Sequence, residues 1–243
     1  GRARMSLAGV QHKLPLYRDD SGALAVPRGG AASNVILKPQ IPGDRFPHTP
    51  ANEHFCMSLA RACGLNAPAT ELLHLPEPVY LTRRYDRLAV GSTIQRLHQI
   101  DLCQLLGRWP EYKYEDAGGA TLAETFSALR HVRQPAIGRL HLLRWVLFNY
   151  LIGNSDAHAK NVSFMVRADG LELAPTYDLL SVRAYGLDHD YMAMSIAGEV
   201  RYGWIGEPQW RALMAEVGVG VPLLWRQLRD LTSELPVRAR ELA

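Results

Sequence analysis

A carboxylate and a carboxamide five residues apart, Asp156 and Asn161, form the sequence pattern with the clearest chemical meaning. They bracket the polar stretch DAHAKN, which follows an apolar segment typical of a helix and precedes a short segment typical of a strand. A loop of this length can direct a carboxylate towards a hydroxyl nucleophile and an amide oxygen towards a metal ion. Because magnesium prefers hard oxygen ligands, the stretch predicts magnesium-assisted chemistry.

A second carboxylate, Asp178, follows Asn161 after an interval that fits one β-hairpin. Protein kinases use the same order, in which the first aspartate accepts the proton of the substrate hydroxyl and the other two residues hold magnesium. The sequence TYDLL around Asp178 lacks the phenylalanine and glycine of the kinase D-F-G motif. Either aspartate alone is better explained as a turn or capping residue. The pair around a hairpin favours phosphoryl transfer, with Asp156 as catalytic base and Asn161 and Asp178 as metal ligands.

A lysine that could neutralise phosphate charge is present at Lys38, where it closes the apolar run VIL. Glu53 follows on a predicted helix and could form with Lys38 the lysine–glutamate pair that protein kinases use. Both residues also fit a simpler interpretation, as a solvated strand end and a helix-surface glutamate. The upstream segment SLAGVQHK has one glycine rather than the three of a G-x-G-x-x-G loop, so its pattern alone does not predict phosphate binding.

The order of predicted elements indicates an α+β protein with two lobes. The first part is rich in strands and has one helix, with Thr49 as N-cap and Pro50 as the first helical residue. We expect a β-rich lobe over residues 1–90, a mostly helical lobe over residues 91–243, and a ligand site in the cleft between them. The predicted strands are 34–38, 70–75, 79–84 and 92–97, with hairpins at 13–27 and 162–173, and the predicted helices are 50–63, 101–106, 122–132, 137–152, 208–215 and 223–235.

Composition argues against several other classes of protein. Of the 243 residues, 47% are hydrophobic and 21% are charged, which is ordinary for a soluble globular protein, and a net charge of +3 is too small to indicate nucleic-acid binding. Three cysteines without a C-x-x-C pair argue against a disulfide framework or a zinc site and favour a reducing cytoplasm. The most apolar segment, residues 140–153, is shorter than a bilayer span of about 20 residues, and no leader sequence is visible, so no membrane association is expected.

The motifs occur in an order that resembles the HipA-like serine/threonine kinases of bacterial toxin–antitoxin systems. The resemblance covers most of the chain up to about residue 206, and DAHAKN followed by YDLLS is its most specific part. It implies a protein-kinase-like fold with a β-rich N-lobe and a mostly helical C-lobe. The matching stretches are SLAGVQHK (6–13), ILKP (36–39), NEHFCMSLARACGL (52–65), RRYDR (83–87), DLCQLLG (101–107), KYE (113–115), LIGNSDAHAKN (151–161), APTYDLLS (174–181) and MAMSIAGE (192–199).

The resemblance implies a role for each motif, with ATP and Mg²⁺ as cofactors. Asp156 resembles the general base and Lys38 resembles the phosphate-binding lysine. Ser6 matches a serine that family members phosphorylate on themselves, which would add nearly two negative charges beside the nucleotide phosphates. The other implied ATP contacts are the covering loop Ala8, Gly9, Val10, Gln11, His12 and Lys13, the adenine hinge Arg83, Arg84 and Tyr85, and the floor residues His158, Ala159, Lys160, Asn161, Tyr177 and Asp178.

The same resemblance implies partners. Family members act on proteins of translation, aminoacyl-tRNA synthetases among them, and are restrained by a helix-turn-helix antitoxin through which they reach DNA only indirectly. Full-length members carry an N-terminal subdomain of about a hundred residues, a domain-sized piece, which we expect to be absent from this sequence or supplied by a separate polypeptide. Two other functions stay open: a non-catalytic module that binds nucleotide or an antitoxin–DNA complex, and a small-molecule kinase. The presence of both the base and the metal ligands favours the enzyme.

Overall fold

The computed structural model describes residues 11–91, 93–186 and 190–243. The first strands are β1 (Leu14–Arg18), β2 (Leu24–Ala25), β3 (Val35–Pro39), β4 (Thr70–His74) and β5 (Pro78–Arg83). They form an antiparallel sheet in the order β2-β1-β3-β5-β4. The predicted turn between β1 and β2 is held by Asp19 Oδ1, which accepts hydrogen bonds from the N–H groups of Ser21 and Ala23.

The two faces of this sheet have different neighbours because successive side chains of a strand point to opposite sides. One face carries a buried apolar cluster formed by alternate residues of β3 and β5, namely Val35, Leu37, Val79 and Leu81. On the other face Lys38 lies opposite Tyr80 in the register of β3 and β5, with its ammonium 5.4 Å from the centre of the Tyr80 ring. The pleat of β3 therefore directs one lysine away from the apolar cluster.

Helix α1 (Thr49–Ala62) packs against β4 and β5. Its N-terminus differs from the prediction, because His48 is the N-cap, in the left-handed conformation, and Thr49 is already helical. Thr49 is used elsewhere: its N–H donates to Gln40 Oε1, and its hydroxyl accepts a hydrogen bond from the N–H of Ile41. These two bonds tie the first turn of α1 to the loop that leaves β3.

The rest of the described chain is mostly helical. Its helices are α2 (Leu102–Leu105), α3 (Leu122–Ala128), α4 (Pro135–Ile152), α5 (Glu207–Val217) and α6 (Val221–Leu242). Its strands are β6 (Arg87–Val90), β7 (Thr93–Arg96), β8 (Gln99–Asp101), β9 (Ser163–Arg167), β10 (Gly170–Leu173), β11 (Tyr191–Ile196) and β12 (Glu199–Arg201). They form the hairpins β6-β7 and β11-β12 and a three-stranded sheet in the order β10-β9-β8.

The largest apolar core is continuous between the strand-rich and helical parts. Helix α4 runs through it and contributes Leu143, Leu147 and Phe148, which are completely buried. Met57 of α1 and Tyr80 of β5 belong to the same core. Apolar packing therefore fixes the polar loops at the end of α4 against the sheet that carries Lys38.

The predicted α+β order is confirmed, and most predicted helices and strands lie within a few residues of their observed positions. The three cysteines, Cys56, Cys63 and Cys103, are buried free thiols. The prediction lacked β6, β8, β11 and β12. Strands β6, β8 and β12 have only three or four residues each, and β11 is buried on both sides without polar alternation. Within the described ranges, no helix combines the length and apolar character needed to cross a membrane.

Candidate active site

Lys38 lies between two carboxylates from distant parts of the chain. Its ammonium is 2.5 Å from Glu53 Oε1 on α1 and 2.6 Å from Asp178 Oδ1 in the loop after β10. The side chains of Lys38, Glu53 and Asp178 are only 7%, 3% and 9% exposed. The pair considered in the sequence, Lys38 and Glu53, is thus formed, and a strand, a helix and a loop meet at one buried lysine.

Burial and charge act in opposite directions on these three groups. Burial disfavours the ammonium of Lys38, but the nearby carboxylates outweigh burial and raise its pKa. Burial also opposes the charge of Asp178, but the attraction of Lys38 and Lys13 lowers the pKa of Asp178. For Glu53 burial dominates and raises the pKa. When all three are ionised, the contacting groups alone have one excess negative charge, which the nearby Lys13 reduces.

Asp178 has a left-handed backbone conformation, with φ at 61°. Aspartate tolerates this region better than most residues, although any residue other than glycine is uncommon there. While Oδ1 meets Lys38, Oδ2 accepts a hydrogen bond of 3.0 Å from Asn161 Nδ2. The backbone turn therefore lets one carboxylate join the lysine of β3 to the loop that precedes β9.

The loop that carries Asp156 and Asn161 is fixed by hydrogen bonds made by its own polar residues. The N–H of Asp156 donates to Asn154 Oδ1 at 3.1 Å, and Asn154 Nδ2 donates to Asn149 Oδ1 of α4 at 2.7 Å. The N–H of His158 donates to Asn161 Oδ1 at 3.0 Å. These residues are all buried, so the loop is a rigid continuation of the α4 core.

The carboxylate of Asp156 accepts a hydrogen bond from the phenol of Tyr114. His158 Nε2 lies 4.0 Å from Asp156 Oδ1, and its ring packs edge-on against Tyr114 with centroids 5.1 Å apart. Burial lowers the pKa of His158 against the pull of Asp156, so the imidazole is neutral near pH 7. Within the described part of the chain, neither ring nitrogen has a hydrogen-bond partner. Because buried polar groups are usually satisfied, an incoming polar group would gain a hydrogen bond here.

The floor residues are joined through Tyr177. Its phenol donates to the carbonyl oxygen of Lys160 and lies 2.6 Å from the hydroxyl of Ser163. Its ring packs against Tyr85, with centroids 5.9 Å apart, and Ala159 is buried in the turn just before Lys160. Tyr177 therefore braces the DAHAKN loop against the segment that leads to the second aspartate.

The predicted adenine hinge has one backbone donor already in use. The N–H of Arg84 donates to the carbonyl oxygen of Asn34 at 2.9 Å, and its guanidinium lies 2.7 Å from Asp86. Arg83 is exposed at the end of β5. A base at this hinge would have to bind backbone groups other than the Arg84 N–H.

Part of the predicted covering loop is described. Gln11, His12 and Lys13 have no regular secondary structure, and His12 and Lys13 are exposed. Lys13 is close enough to Asp178 and Glu53 to act on both charges. The other residues of the predicted covering loop, Ala8, Gly9 and Val10, lie outside the described ranges. The predicted phosphorylation site, Ser6, lies outside them as well.

Asn161 and Asp178, one in each loop, carry oxygen atoms of the kind that magnesium binds. Asn161 Oδ1 accepts one hydrogen bond from His158, and an amide oxygen has a second lone pair. Asp178 adds a carboxylate beside an excess negative charge, and magnesium typically takes one or two carboxylates together with substrate phosphates and water. In the described ranges no group of three His, Cys, Asp or Glu side chains is arranged to hold a metal. A site here would therefore depend on a small number of protein ligands.

Two neighbours of the site, Lys113 and Tyr114, were missed as functional residues. Burial lowers the pKa of the half-buried Lys113 in spite of the favourable charge of Asp156 nearby. In the sequence analysis they appear only within the KYE stretch that matches the family. A lysine next to a tyrosine does not by itself indicate a functional site. The hydrogen bond of Tyr114 to Asp156 joins residues 42 positions apart, so only the fold brings them together.

The chain belongs to the family of HipA-like C-terminal domains, which it matches over residues 5–240. Its fold is that of the HipA chain in the Shewanella oneidensis toxin–antitoxin complex of HipA, HipB and operator DNA, with a TM-score of 0.91 and 31% identity. That match covers 100% of this chain and 59% of the other. The predicted family and its two-lobed, kinase-like α+β fold are confirmed.

Two curated relatives support the same assignment. A Sinorhizobium fredii protein named "Putative kinase Y4mE" is 42% identical over 98% of this chain and 57% of its own length. The Shewanella oneidensis "Serine/threonine-protein kinase toxin HipA" is 32% identical over 100% of this chain and 58% of its own length. The chain thus spans less than three fifths of the length of these relatives.

Proposed function

We propose that this chain is the catalytic core of an ATP- and magnesium-dependent serine/threonine protein kinase. The observation that carries the proposal is the contact of Lys38 and Asn161 with the same carboxylate, Asp178, beside the loop of Asp156. Catalysis of phosphoryl transfer is mainly positioning and charge neutralisation, and these are the residue types it needs. The kinase names of the relatives support the same chemistry.

In the proposed step, the oxygen of a serine or threonine hydroxyl attacks the γ-phosphorus of ATP. The new O–P bond forms as the bond between the γ-phosphorus and the β–γ bridging oxygen breaks, and ADP leaves with that oxygen. Asp156 accepts the hydroxyl proton. Lys38 neutralises phosphate charge, and Glu53 keeps its ammonium in place.

Asn161 and Asp178 are the residues that would hold magnesium. When bound, the ion would neutralise phosphate charge. The contact between Asn161 and Asp178 places the two residues side by side, but it is made by Asn161 Nδ2, while Oδ1 accepts a hydrogen bond from the N–H of His158. The amide would therefore have to turn or move away from the carboxylate to offer its oxygen to the ion. We assign the nucleotide floor to His158, Ala159, Lys160 and Tyr177, the phosphate cover to residues 8–13, and the adenine hinge to residues 83–85.

We further propose that the kinase acts as a toxin with an antitoxin partner in the cytoplasm. The relative of known structure is in a complex with HipB and operator DNA, which supports an antitoxin as partner and DNA as an indirect one. The proposed substrates are a protein of translation, such as an aminoacyl-tRNA synthetase, and Ser6 of the chain itself. The relative is longer than this chain, so these roles are proposed for a whole protein of that kind and extend the kinase proposal.

The variant Asp156→Asn tests the proposal. It keeps the size of the side chain and removes the base, so transfer should fall by about 10²–10⁴-fold. The dissociation constant for ATP with magnesium should stay within about twofold, because the base does not hold the nucleotide. Phosphate incorporation and calorimetric ATP titration measure the two quantities. Full transfer by the variant contradicts the assignment of the base, and ATP binding without transfer by the wild type favours a binding module.

A further inference from the structure

Tyr114 reaches Asp156 from a segment 42 residues earlier in the chain. It is extended between two short 3-10 turns, Pro110–Lys113 and Glu115–Ala117. The residue is only 9% exposed, and its phenol donates to Asp156 Oδ1. A buried phenol usually finds a hydrogen-bond partner, and here the partner is the proposed base itself.

The backbone at Tyr114 is held by a tight return of the chain. The N–H groups of Ala117 and Gly119 both donate to the Tyr114 carbonyl oxygen, at 3.1 and 2.8 Å. Gly118 has φ at 90°, and a Cβ added to Gly119 would lie 2.4 Å from that carbonyl oxygen. Only glycine tolerates both the conformation and the close approach, so the Gly118-Gly119 pair lets the chain close on Tyr114.

The residue after Tyr114 anchors the same segment on the opposite side. Glu115 accepts two hydrogen bonds of 2.6 Å from Ser195 of β11, one from its N–H and one from its hydroxyl. Hydrogen bonds to a carboxylate are among the stronger ones in proteins. On the other side of Tyr114, the ammonium of Lys113 lies 5.0 Å from the centre of its ring. The tyrosine is therefore fixed at its backbone and by both of its neighbours.

We infer that Tyr114 is a positioning residue for Asp156, an inference that rests on the proposed phosphoryl-transfer function. Its phenol holds one carboxylate oxygen, so that the carboxylate keeps a single orientation towards the acceptor hydroxyl. A carboxylate offers about four lone-pair sites and can accept hydrogen bonds from the phenol and from the acceptor together. Tyr114 acts through Asp156 and transfers no proton.

The variant Tyr114→Phe removes the hydroxyl and keeps the ring. We expect kcat to fall by about tenfold to a hundredfold, the usual loss when a group that orients a functional residue is removed. The KM for ATP should stay within about twofold, because the nucleotide floor is unchanged. The matched control is Tyr112→Phe, which changes an exposed tyrosine of the same segment and should leave kcat and KM unchanged.

A double-variant cycle separates positioning from a structural effect. If Tyr114 acts through Asp156, adding Tyr114→Phe to Asp156→Asn should cause no further loss of the residual transfer. The inference is overturned if the losses of transfer rate in the two single variants multiply in the double variant. It is also overturned if Tyr114→Phe has a normal kcat while Asp156→Asn is inactive. Both outcomes leave the proposed function intact. A wild-type chain that transfers no phosphate to any acceptor overturns both.

Discussion

Lys38, at one end of the candidate site, contacts two carboxylates, whereas Asp156, at the other end, accepts a hydrogen bond from an uncharged phenol and has the half-buried Lys113 nearby. At the lysine end, Glu53 and Asp178 form buried ion pairs of 2.5 and 2.6 Å with the ammonium. At the Asp156 end, a phenol donates to the carboxylate, a neutral imidazole lies 4.0 Å from it, and the backbone N–H of Asp156 donates to Asn154. The buried charge of Lys38 thus contacts charged partners, while the carboxylate of Asp156 accepts a hydrogen bond from an uncharged one.

The difference matches what each end would have to do. Phosphates bring a large negative charge, so a fixed lysine is needed before they arrive, and two carboxylates keep it charged in spite of burial. An acceptor hydroxyl brings no charge, so orientation matters more than potential. The unsatisfied nitrogens of His158 lie at the second end, where an incoming group would meet them. Variants that remove a charge should therefore lower the free energy of unfolding more at the Lys38 end than at the Asp156 end.

The largest effect on stability is expected for Lys38→Met. Removing the lysine deprives the buried Glu53 and Asp178 of the ammonium that contacts both, and breaking a buried ion pair costs about 3–5 kcal/mol. The free energy of unfolding in urea measures this loss. The double variant Lys38→Met/Glu53→Gln should recover part of it, because one of the two buried charges is gone.

The control for that prediction is Lys113→Met at the Asp156 end of the site. Lys113 is only half-buried, and removing such a cation should cost less than about 1 kcal/mol. Equal losses for the two lysine variants would show that the two ends do not differ in the way described.

A smaller effect on stability is expected for Glu115→Gln. Both carboxylate oxygens of Glu115 bind Ser195, and an amide can accept only one of these two hydrogen bonds. The loss should be about 1.5–3 kcal/mol, the usual value for a hydrogen bond to a charged group. The exposed Glu111 of the same segment provides the control, and Glu111→Gln should leave the unfolding free energy nearly unchanged. Equal unfolding free energies for the two variants would show that Glu115 does not anchor the Tyr114 segment.

The smallest of the three effects is expected for Asp178→Asn, measured on ligand binding. Asparagine tolerates the left-handed backbone of this position, so the turn should persist. The magnesium-dependent gain in ATP affinity should fall by about tenfold, because one charged ligand is lost. Calorimetric titrations with magnesium and with a chelator give the gain. An unchanged gain counts against Asp178 as a metal ligand, and Asp169→Asn, on the exposed β9-β10 turn, is the matched control.

The parts of this molecule that depend on local pattern could be predicted from the sequence. The DAHAKN loop and the following hairpin have a polar run, turn residues and apolar strands of the expected lengths, so the spacing of Asp156, Asn161 and Asp178 carried information. The contact of Lys38 with Asp178 joins residues 140 positions apart, and only the fold brings them together. The role of Tyr114 was hidden because a tyrosine in a short irregular segment is usually a packing residue.

The capping error at α1 has a similar origin. A threonine before a proline is a common helix start, but here the loop after β3 takes the hydrogen-bonding groups of Thr49 for itself. His48 then becomes the cap in a left-handed conformation that no local pattern predicts. Tertiary hydrogen bonds decided both this helix end and the composition of the site.

The most direct test of the account is the intact mass of the chain after incubation with ATP and magnesium. The wild type and Asp156→Asn are first treated with a phosphatase, and each is then followed over time with the phosphatase removed. We predict that the wild type alone gains one phosphoryl group and that fragment masses assign it to Ser6. Incorporation at equal rates in both proteins, or none in the wild type, would contradict the proposed chemistry of Asp156.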